Sequence, residues 1–401
     1  MLTPKLIEYL FAAASIQRWN DYPRMVELVE LDKQAHKFII AYFLAKAEED
    51  DVNLLHLIEA GLFEFFRRVV VTDIRPDVFH KALEKKTKEI NQWVLEKLYD
   101  ALQPIENGAF YSRFEAYLTT PSMYKRERFI LKAASYLSTR WEFSIVYQTS
   151  QFLSDIDRVK EAVEEEIEDY YELIGVRKIA LAKKLSHLVD LSGRLRFQKR
   201  WAQTPRVPET SVLGHMLVVA ILGYFYSIKI NACPKRLEHN FFCALFHDLP
   251  EALTRDIISP VKYSVSGLDD IISEYEMQQI EDAILPYIPV GLREEFLYLL
   301  GMHAEGKDEF SNRIFDGHAQ VVDTLEGYNE DRFCAIDGKA LKNCDRLGAF
   351  VEATLSISHG VKSKELLHGK EYIKEKLREK GKSGEVDFYK LACEIEAYLS
   401  V

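Results

Sequence analysis

The chain is 401 residues long, more than one average domain, so two domains are the default expectation. Its 48% hydrophobic and 29% charged residues are those of an ordinary globular protein, and 52 Lys and Arg against 63 Asp and Glu leave a net charge of −11. That balance excludes a large nonspecific nucleic-acid surface, while leaving room for a local basic pocket around a small anion.

The N-terminal stretch MLTPKLIEYLFAAASIQRW has no basic region ahead of an apolar core and does not read as a signal peptide. Apolar residues then recur with a helical period from Leu6 to Ile16, His36 to Ala47, Val52 to Phe66 and Phe129 to Phe143. The acidic run Glu161 to Asp169 keeps that spacing through Tyr170 and Leu173, as a solvated helix face does. The pattern resumes from Met216 to Ile228, Phe241 to Leu253, Ser273 to Leu285 and Leu341 to Leu355. Breaks fall at Asn231 to Pro234, Gly301 to Asn312 and Gly381 to Glu385. The Lys- and Glu-rich tail from Ser363 to Val401 reads as final helices. Strand signals are scarce, so an all-α fold is expected. The run Met216 to Tyr226 falls short of the roughly 18 apolar residues a membrane crossing needs, so no membrane partner is expected. Cys233, Cys243, Cys334, Cys344 and Cys393 form no CxxC pair and point to reduced thiols in a cytoplasmic protein.

The two halves echo each other. RWNDYPR from Arg18 matches RWAQTPR from Arg200, and ELDKQAHKFIIAYF from Glu30 matches ETSVLGHMLVVAIL from Glu209. LFEFFRRVVVTDI from Leu62 matches LFHDLPEALTRDI from Leu245, with Asp73 and Asp256 in register, and LKAASYLS from Leu131 matches LKNCDRLG from Leu341. A tandem duplication is inferred, with domains at 1–178 and 179–401. In this register His215 has a counterpart in His36, but Glu64 and Phe65 stand opposite His247 and Asp248, Arg68 opposite Glu251, and Ser135 opposite Asp345. The first domain is therefore expected to hold no catalytic metal and to serve packing, dimerisation or completion of the second copy's pocket; a regulatory ligand in the old pocket is the alternative.

The chemistry concentrates in LFHDLPEALTRDIISPVKY, where His247 adjoins Asp248 and Glu251 follows one helical turn later. His215 and Asp345 lie on other apolar segments. Two imidazoles and two carboxylates suit one divalent ion of the class Mn, Co, Fe, Ni, Zn or Mg. Neighbouring helix residues point about 100° apart, so His247 and Asp248 can share an ion only at the edge of their helix, with His215 and Asp345 reaching in from elsewhere. A cation so held can lower the pKa of a bound water from 15.7 to roughly 7, making a nucleophile for phosphorus. Glu251 shares a face with His247 and Asp248, and it can take a proton from that water and pass it to the leaving group.

With these motifs, residues 200–353 resemble the HD-domain metal-dependent phosphohydrolases, and among them the 5'-deoxynucleotidase branch. The family's metal ligands correspond to His215, His247, Asp248 and Asp345. The branch pattern HDxxExxTxD with a following PVKY is carried by His247, Asp248, Glu251, Thr254, Asp256, Pro260, Val261 and Lys262. An Arg-Trp pair fifteen residues before the first ligand also belongs to the branch, and Arg200 and Trp201 stand there.

The resemblance implies two tandem HD-like helical domains and hydrolysis of (deoxy)nucleoside 5'-monophosphates. It implies Arg200 on the substrate phosphate, Trp201 against the sugar where it disfavours a 2'-hydroxyl, Asp256 on the 3'-hydroxyl, and Lys262 among the substrate contacts. A guanidinium fork suits phosphate and a carboxylate suits a hydroxyl donor. The implied partner is a small phosphorylated molecule, not an extended nucleic acid, and a homodimer is compatible. The chain departs from the branch at Gly214, where an acidic residue is usual, at Glu209, six residues before His215, and in the separation of 98 positions from His247 to Asp345. That interval holds His303 and His318, which a two-metal phosphodiesterase or nucleotide polyphosphate hydrolase would use for a second ion. A non-catalytic nucleotide-binding regulatory protein is a third reading. The recurrence of Arg18-Trp19 in the ligand-poor half gives the Arg-Trp pair a structural reading as well.

Overall fold

The computed structural model describes residues 2–49, 52–72, 74, 76–255, 265, 267–304 and 306–400. The chain divides into two compact units, Met1–Arg177 and Lys178–Val401, and both are built from helices. In the first unit these are α1 (Pro4–Ala12), α2 (Glu30–Ala47), α3 (Leu54–Val71), α4 (Pro76–Leu102), α5 (Ala109–Thr119), α6 (Lys125–Ser150) and α7 (Ile156–Glu168). The boundary falls within α8 (Ile174–Ala180). Helix α2 is buried along nearly its whole length and packs on α3 and α6.

The second unit continues with α9 (Lys184–Arg194), α10 (Val212–Lys229), α11 (Pro234–Phe246), α12 (Glu251–Thr254), α13 (Leu268–Gln279), α14 (Arg293–Leu299), α15 (Gly338–Ser358), α16 (Lys364–Lys380) and α17 (Phe388–Leu399). Helix α10 starts where the Ser211 hydroxyl accepts the Gly214 N–H at 2.9 Å. It is longer than its apolar run suggests: 18 residues at a mean hydropathy of 1.6, enough by length and composition to cross a membrane, yet 89% buried inside the protein. It is the core helix of the unit and packs on α11 and α15.

Helix α11 opens on Pro234, whose missing N–H costs nothing at that position. The periodicity carries this helix to Leu253, but it stops at Phe246. The Leu249 N–H donates to Phe246 O at 2.9 Å and the Glu251 N–H to Asp248 O at 3.0 Å, so residues 247–250 form tight turns. Pro250 is the cause: it has no N–H for the helical ladder, and its ring crowds the preceding turn. His247 and Asp248 therefore stand on a turn between two helices and not on one helix face.

The long interval before Asp345 is partly β. A hairpin pairs β1 (Met302–His303) with β2 (Gly306–Lys307), and β3 (Asn312–Phe315) lies between antiparallel β4 (Ala319–Val321) and β5 (Ile336–Asp337). Arg313 is fully buried here and is satisfied by carbonyls, donating to Tyr298 O at 3.1 Å and Glu309 O at 3.0 Å. A second hairpin pairs β6 (Lys382–Ser383) with β7 (Val386–Asp387).

The segments that lead into α2 and α10 share one local frame. Gln17 bridges Val29, and Lys199 bridges Ser211, 182 residues on (199 − 17, 211 − 29). Arg18 N donates to Leu28 O at 2.8 Å and Arg200 N to Thr210 O at 2.9 Å. Trp19 and Trp201 follow with φ of 56° and 57°. Helices α2 and α10 then run 18 residues each from Glu30 and Val212. This frame corrects the register in which His36 opposes His215: at an offset of 182 the residue opposite His215 is Lys33. The offset of 179 differs by three residues, close to one helical turn, so the apolar pattern of a buried helix reads almost the same in either register.

Asp337 ties the start of α15 to α10 and α11. It accepts from Arg236 Nε at 2.7 Å, Asn240 Nδ2 at 2.8 Å and the Tyr226 hydroxyl at 3.2 Å, all buried. Replacing Arg236 by Ala leaves this carboxylate uncompensated, which costs about 3–5 kcal/mol. At roughly 2–4 °C per kcal/mol for a unit of this size, scanning calorimetry is expected to show a loss of about 6–20 °C in the melting temperature of the second unit.

Candidate metal centre

The site is assembled around Glu352 on α15, a carboxylate with no solvent exposure. It accepts the Thr210 hydroxyl at 2.7 Å and the Trp201 indole N–H at 3.0 Å. Its Oε1 faces His215 Nδ1 at 3.4 Å, and Arg200 Nε lies 4.0 Å from its Oε2. Burial alone would raise its pKa, but Arg206, His215 and Arg200 hold it well below the usual carboxylate range. Asp345 stands two turns earlier on the same helix, with Oδ1 2.9 Å from His215 Nε2 and Oδ2 2.8 Å from Lys342 Nζ. His215 on α10 thus sits between two carboxylates. Burial and Arg200 work against its imidazolium, but Asp345 and Glu352 on its two nitrogens outweigh them and raise its pKa.

His247 and Asp248 come from the turn after α11. His247 Nδ1 lies 2.7 Å from Ala244 O. A carbonyl only accepts, so Nδ1 carries a proton and Nε2 is the ring nitrogen turned toward the site. That buried Nε2 has no hydrogen bond on it, and it lies 3.0 Å from Asp248 Oδ2. Asp248 is itself held ionised: burial opposes, but His247 beside it and Arg200 lower its pKa. Asp345 is likewise far below the ordinary range against burial, through Lys342 and His215. One ligand atom each of His215, His247 and Asp248 lies within 4.8 Å of the others. Two imidazoles and ionised carboxylates gathered within this distance are groups that bind a cation together. The donor set therefore fits a divalent cation.

Of the expected ligands, the structure brings His215, His247 and Asp248 into one group and joins Asp345 to it through His215. His303 lies on β1, and His318 is exposed at the turn between β3 and β4; neither belongs to that group. Glu251 is buried at the first position of α12, and Gln198 Nε2 donates to its carbonyl at 2.8 Å, tying it to the segment that carries Arg200. Trp201 gives its N–H to Glu352, and its ring lies against α16, where a Cβ on Gly369 would come within 2.6 Å of it. These contacts are those of the structural reading of the Arg-Trp pair. Asp256, Pro260, Val261 and Lys262, like Asp73, lie outside the described residues.

Glu352 and Lys342 were not singled out by the motifs. Lys342 Nζ is 4.1 Å from the Phe310 ring centroid, and that ring lies 5.6 Å from the His247 ring. A signal for Glu352 existed in the repeat: Glu follows by seven after Asp345 and also after Ser135, as Glu142. The acid recurs although the ligand before it does not.

Residues 192–374 match the HD domain family. A 5'-deoxynucleotidase of Cronobacter sakazakii is 30% identical over 134 residues, which are 31% of this chain and 64% of that protein. The 5'-deoxynucleotidase YfbR of Escherichia coli is 31% identical over 138 residues, 32% of this chain and 65% of that protein. A 5'-deoxynucleotidase of Photobacterium profundum is 25% identical over 131 residues, 31% of this chain and 66% of that protein. The chain spans just under two thirds of the length of these curated relatives. HD domains bind divalent metals, in keeping with the His–Asp cluster.

Groups that orient a ligand typically set metal affinity within 10–100-fold. Glu352→Gln keeps the shape of the side chain and removes the charge behind His215, and it is expected to weaken Mn²⁺ binding by about that factor in isothermal titration calorimetry.

Proposed function

We propose that this chain, whose second unit carries an HD domain, is a metal-dependent phosphohydrolase acting on (deoxy)nucleoside 5'-monophosphates. The observation that carries this reading is the cluster of His215, His247 and Asp248 beside Asp345, with the Arg200 guanidinium acting on His215, Asp248 and Asp345. The 5'-deoxynucleotidase relatives support the phosphomonoester substrate. A divalent ion held by His215, His247, Asp248 and Asp345 supplies Lewis acidity and an acidified water. Arg200 binds the phosphate and offsets its charge. Glu251, at the start of the helix that follows the ligand-bearing turn, takes the proton of the attacking water and returns it to the leaving oxygen. Asp256 and Lys262 complete the substrate contacts. Burial of the ligand carboxylates keeps bulk water from competing with these interactions.

Phosphate release from a deoxynucleoside monophosphate in the presence of Mn²⁺ or Co²⁺ is expected, with about one ion bound per chain. His247→Ala and Asp345→Asn should abolish it, and Glu251→Gln should lower kcat by about 10²–10⁴-fold with metal still bound. Undiminished turnover in the His247 or Asp345 variant removes the reading.

A further inference from the structure

Lys342 lies one turn before Asp345 on α15 and carries its ammonium to the ligand cluster. Its Nζ is 2.8 Å from Asp345 Oδ2 and 4.1 Å from the centre of the Phe310 ring. That ring in turn lies 5.6 Å from the ring of His247. Glu309 is engaged by Lys307 at 2.8 Å, so the carboxylate that pairs directly with Lys342 is Asp345. The Phe310 ring is fixed from the core side. The buried Arg313 donates to the Glu309 carbonyl at 3.0 Å, and a Cβ on Gly338, the first residue of α15, would lie 2.0 Å from Ser311 O. The segment that bears Phe310 is thus locked to the start of the helix that bears Lys342. An aromatic face attracts an ammonium and restrains it without neutralising it.

Asp345 has His215 Nε2 on Oδ1 at 2.9 Å and Lys342 on Oδ2, so the chain itself engages both oxygens of this expected ligand. A divalent ion on Asp345 repels an ammonium on the same carboxylate, and the lysine is the partner with room to respond. Its side chain is 38% exposed, against 15% for Asp345 and for Asp248, while His215 and His247 are buried. Lys342 therefore stands on the solvent side of the ligands, where a small molecule reaches them. A phosphate monoester brought there meets the ionised Asp248, Asp345 and Glu352, and Arg200 is shared among all three. A second cation offsets that repulsion. A flexible four-carbon stem with three rotatable donors lets an ammonium serve two neighbouring acceptors in turn.

We propose that Lys342 is a phosphate contact of this site, its ammonium shared between Asp345 and a phosphate oxygen of the substrate and shifted toward the phosphate when a divalent ion binds Asp345. The inference rests on the reading of the cluster as a metal-dependent phosphohydrolase site.

The test is calorimetric titration of the full chain, first with Mn²⁺ and then, at saturating Mn²⁺, with inorganic phosphate. Lys342→Met keeps the stem and removes the charge, Lys342→Gln is the second variant, and circular dichroism establishes that each is folded. Mn²⁺ is expected to bind both variants at least as tightly as the wild type, because the ammonium that competes for Asp345 is gone. Phosphate is expected to bind them at least about tenfold more weakly, the measure of one lost hydrogen bond between charged groups. Equal phosphate binding by wild type and variants, or none by the Mn²⁺-loaded wild type, overturns the proposal. A loss of Mn²⁺ affinity as large as the loss of phosphate affinity assigns Lys342 to the ordering of Asp345 and overturns it as well. Neither titration needs turnover, so a wild-type chain that releases no phosphate from dAMP fails the proposed activity and still leaves Lys342 to be decided by these outcomes.

Discussion

A single carboxylate buried against an imidazole organises the second unit. Glu352 is fully desolvated, and it stays charged because Arg206, His215 and Arg200 surround it and because Thr210 and Trp201 give it neutral donors. Each of those partners comes from a segment that the site needs in place. Thr210 closes the frame that starts α10, Trp201 holds the segment bearing Arg200, and His215 is the first of the expected ligands. A buried charge that satisfied fewer groups would cost several kcal/mol, so the geometry is enforced by the penalty for losing it as much as by the bonds gained. The same acid with the same indole partner recurs in the first unit as Glu142 and Trp19. The frame is therefore separable from the chemistry placed on it.

The ligand-bearing turn shows how a local conflict yields a site. The apolar pattern through Phe241 to Leu253 favours one helix, and Pro250 forbids it. The chain resolves this by ending α11 at Phe246, which frees the Ala244 carbonyl to accept from His247 Nδ1. That one bond fixes the ring orientation and sets Nε2 3.0 Å from Asp248 Oδ2. A continuous helix would use the Ala244 carbonyl in its own ladder at Asp248 and would set the two side chains about 100° apart.

The helical character was legible because it rests on a short-range regularity, the 3.6-residue period, and the expected ligands stood out as residue types that serve few other purposes when clustered; the structure groups three of them, His215, His247 and Asp248. Less local features were not. The strands between His303 and Val321 are two to four residues long, too short to establish alternation. Trp201 could be read as a sugar platform or as a packing residue, and only the Gly369 contact and the bond to Glu352 describe what its ring and N–H do. Lys33 was hidden by a register ambiguity inherent in a helix buried on every side, where a shift of three residues preserves the hydrophobic pattern. Backbone hydrogen bonds outside the helix resolve it, because a bridge pairs specific residues and tolerates no such slip.

That corrected register changes what the comparison of the two units means. With His36 opposite His215, the first unit looks like a site that has lost ligands one by one and kept a remnant. With Lys33 there, an imidazole has an ammonium group as its counterpart, and the carboxylate of Asp345 has the neutral Ser135 as its counterpart. A remnant under no constraint would be cheaper with apolar side chains, since replacing buried ions by well-packed hydrophobic residues is often neutral or stabilising. Instead Lys33 and Lys37 stay buried on α2, one turn apart, with their ammonium groups on Ser135 and Glu64.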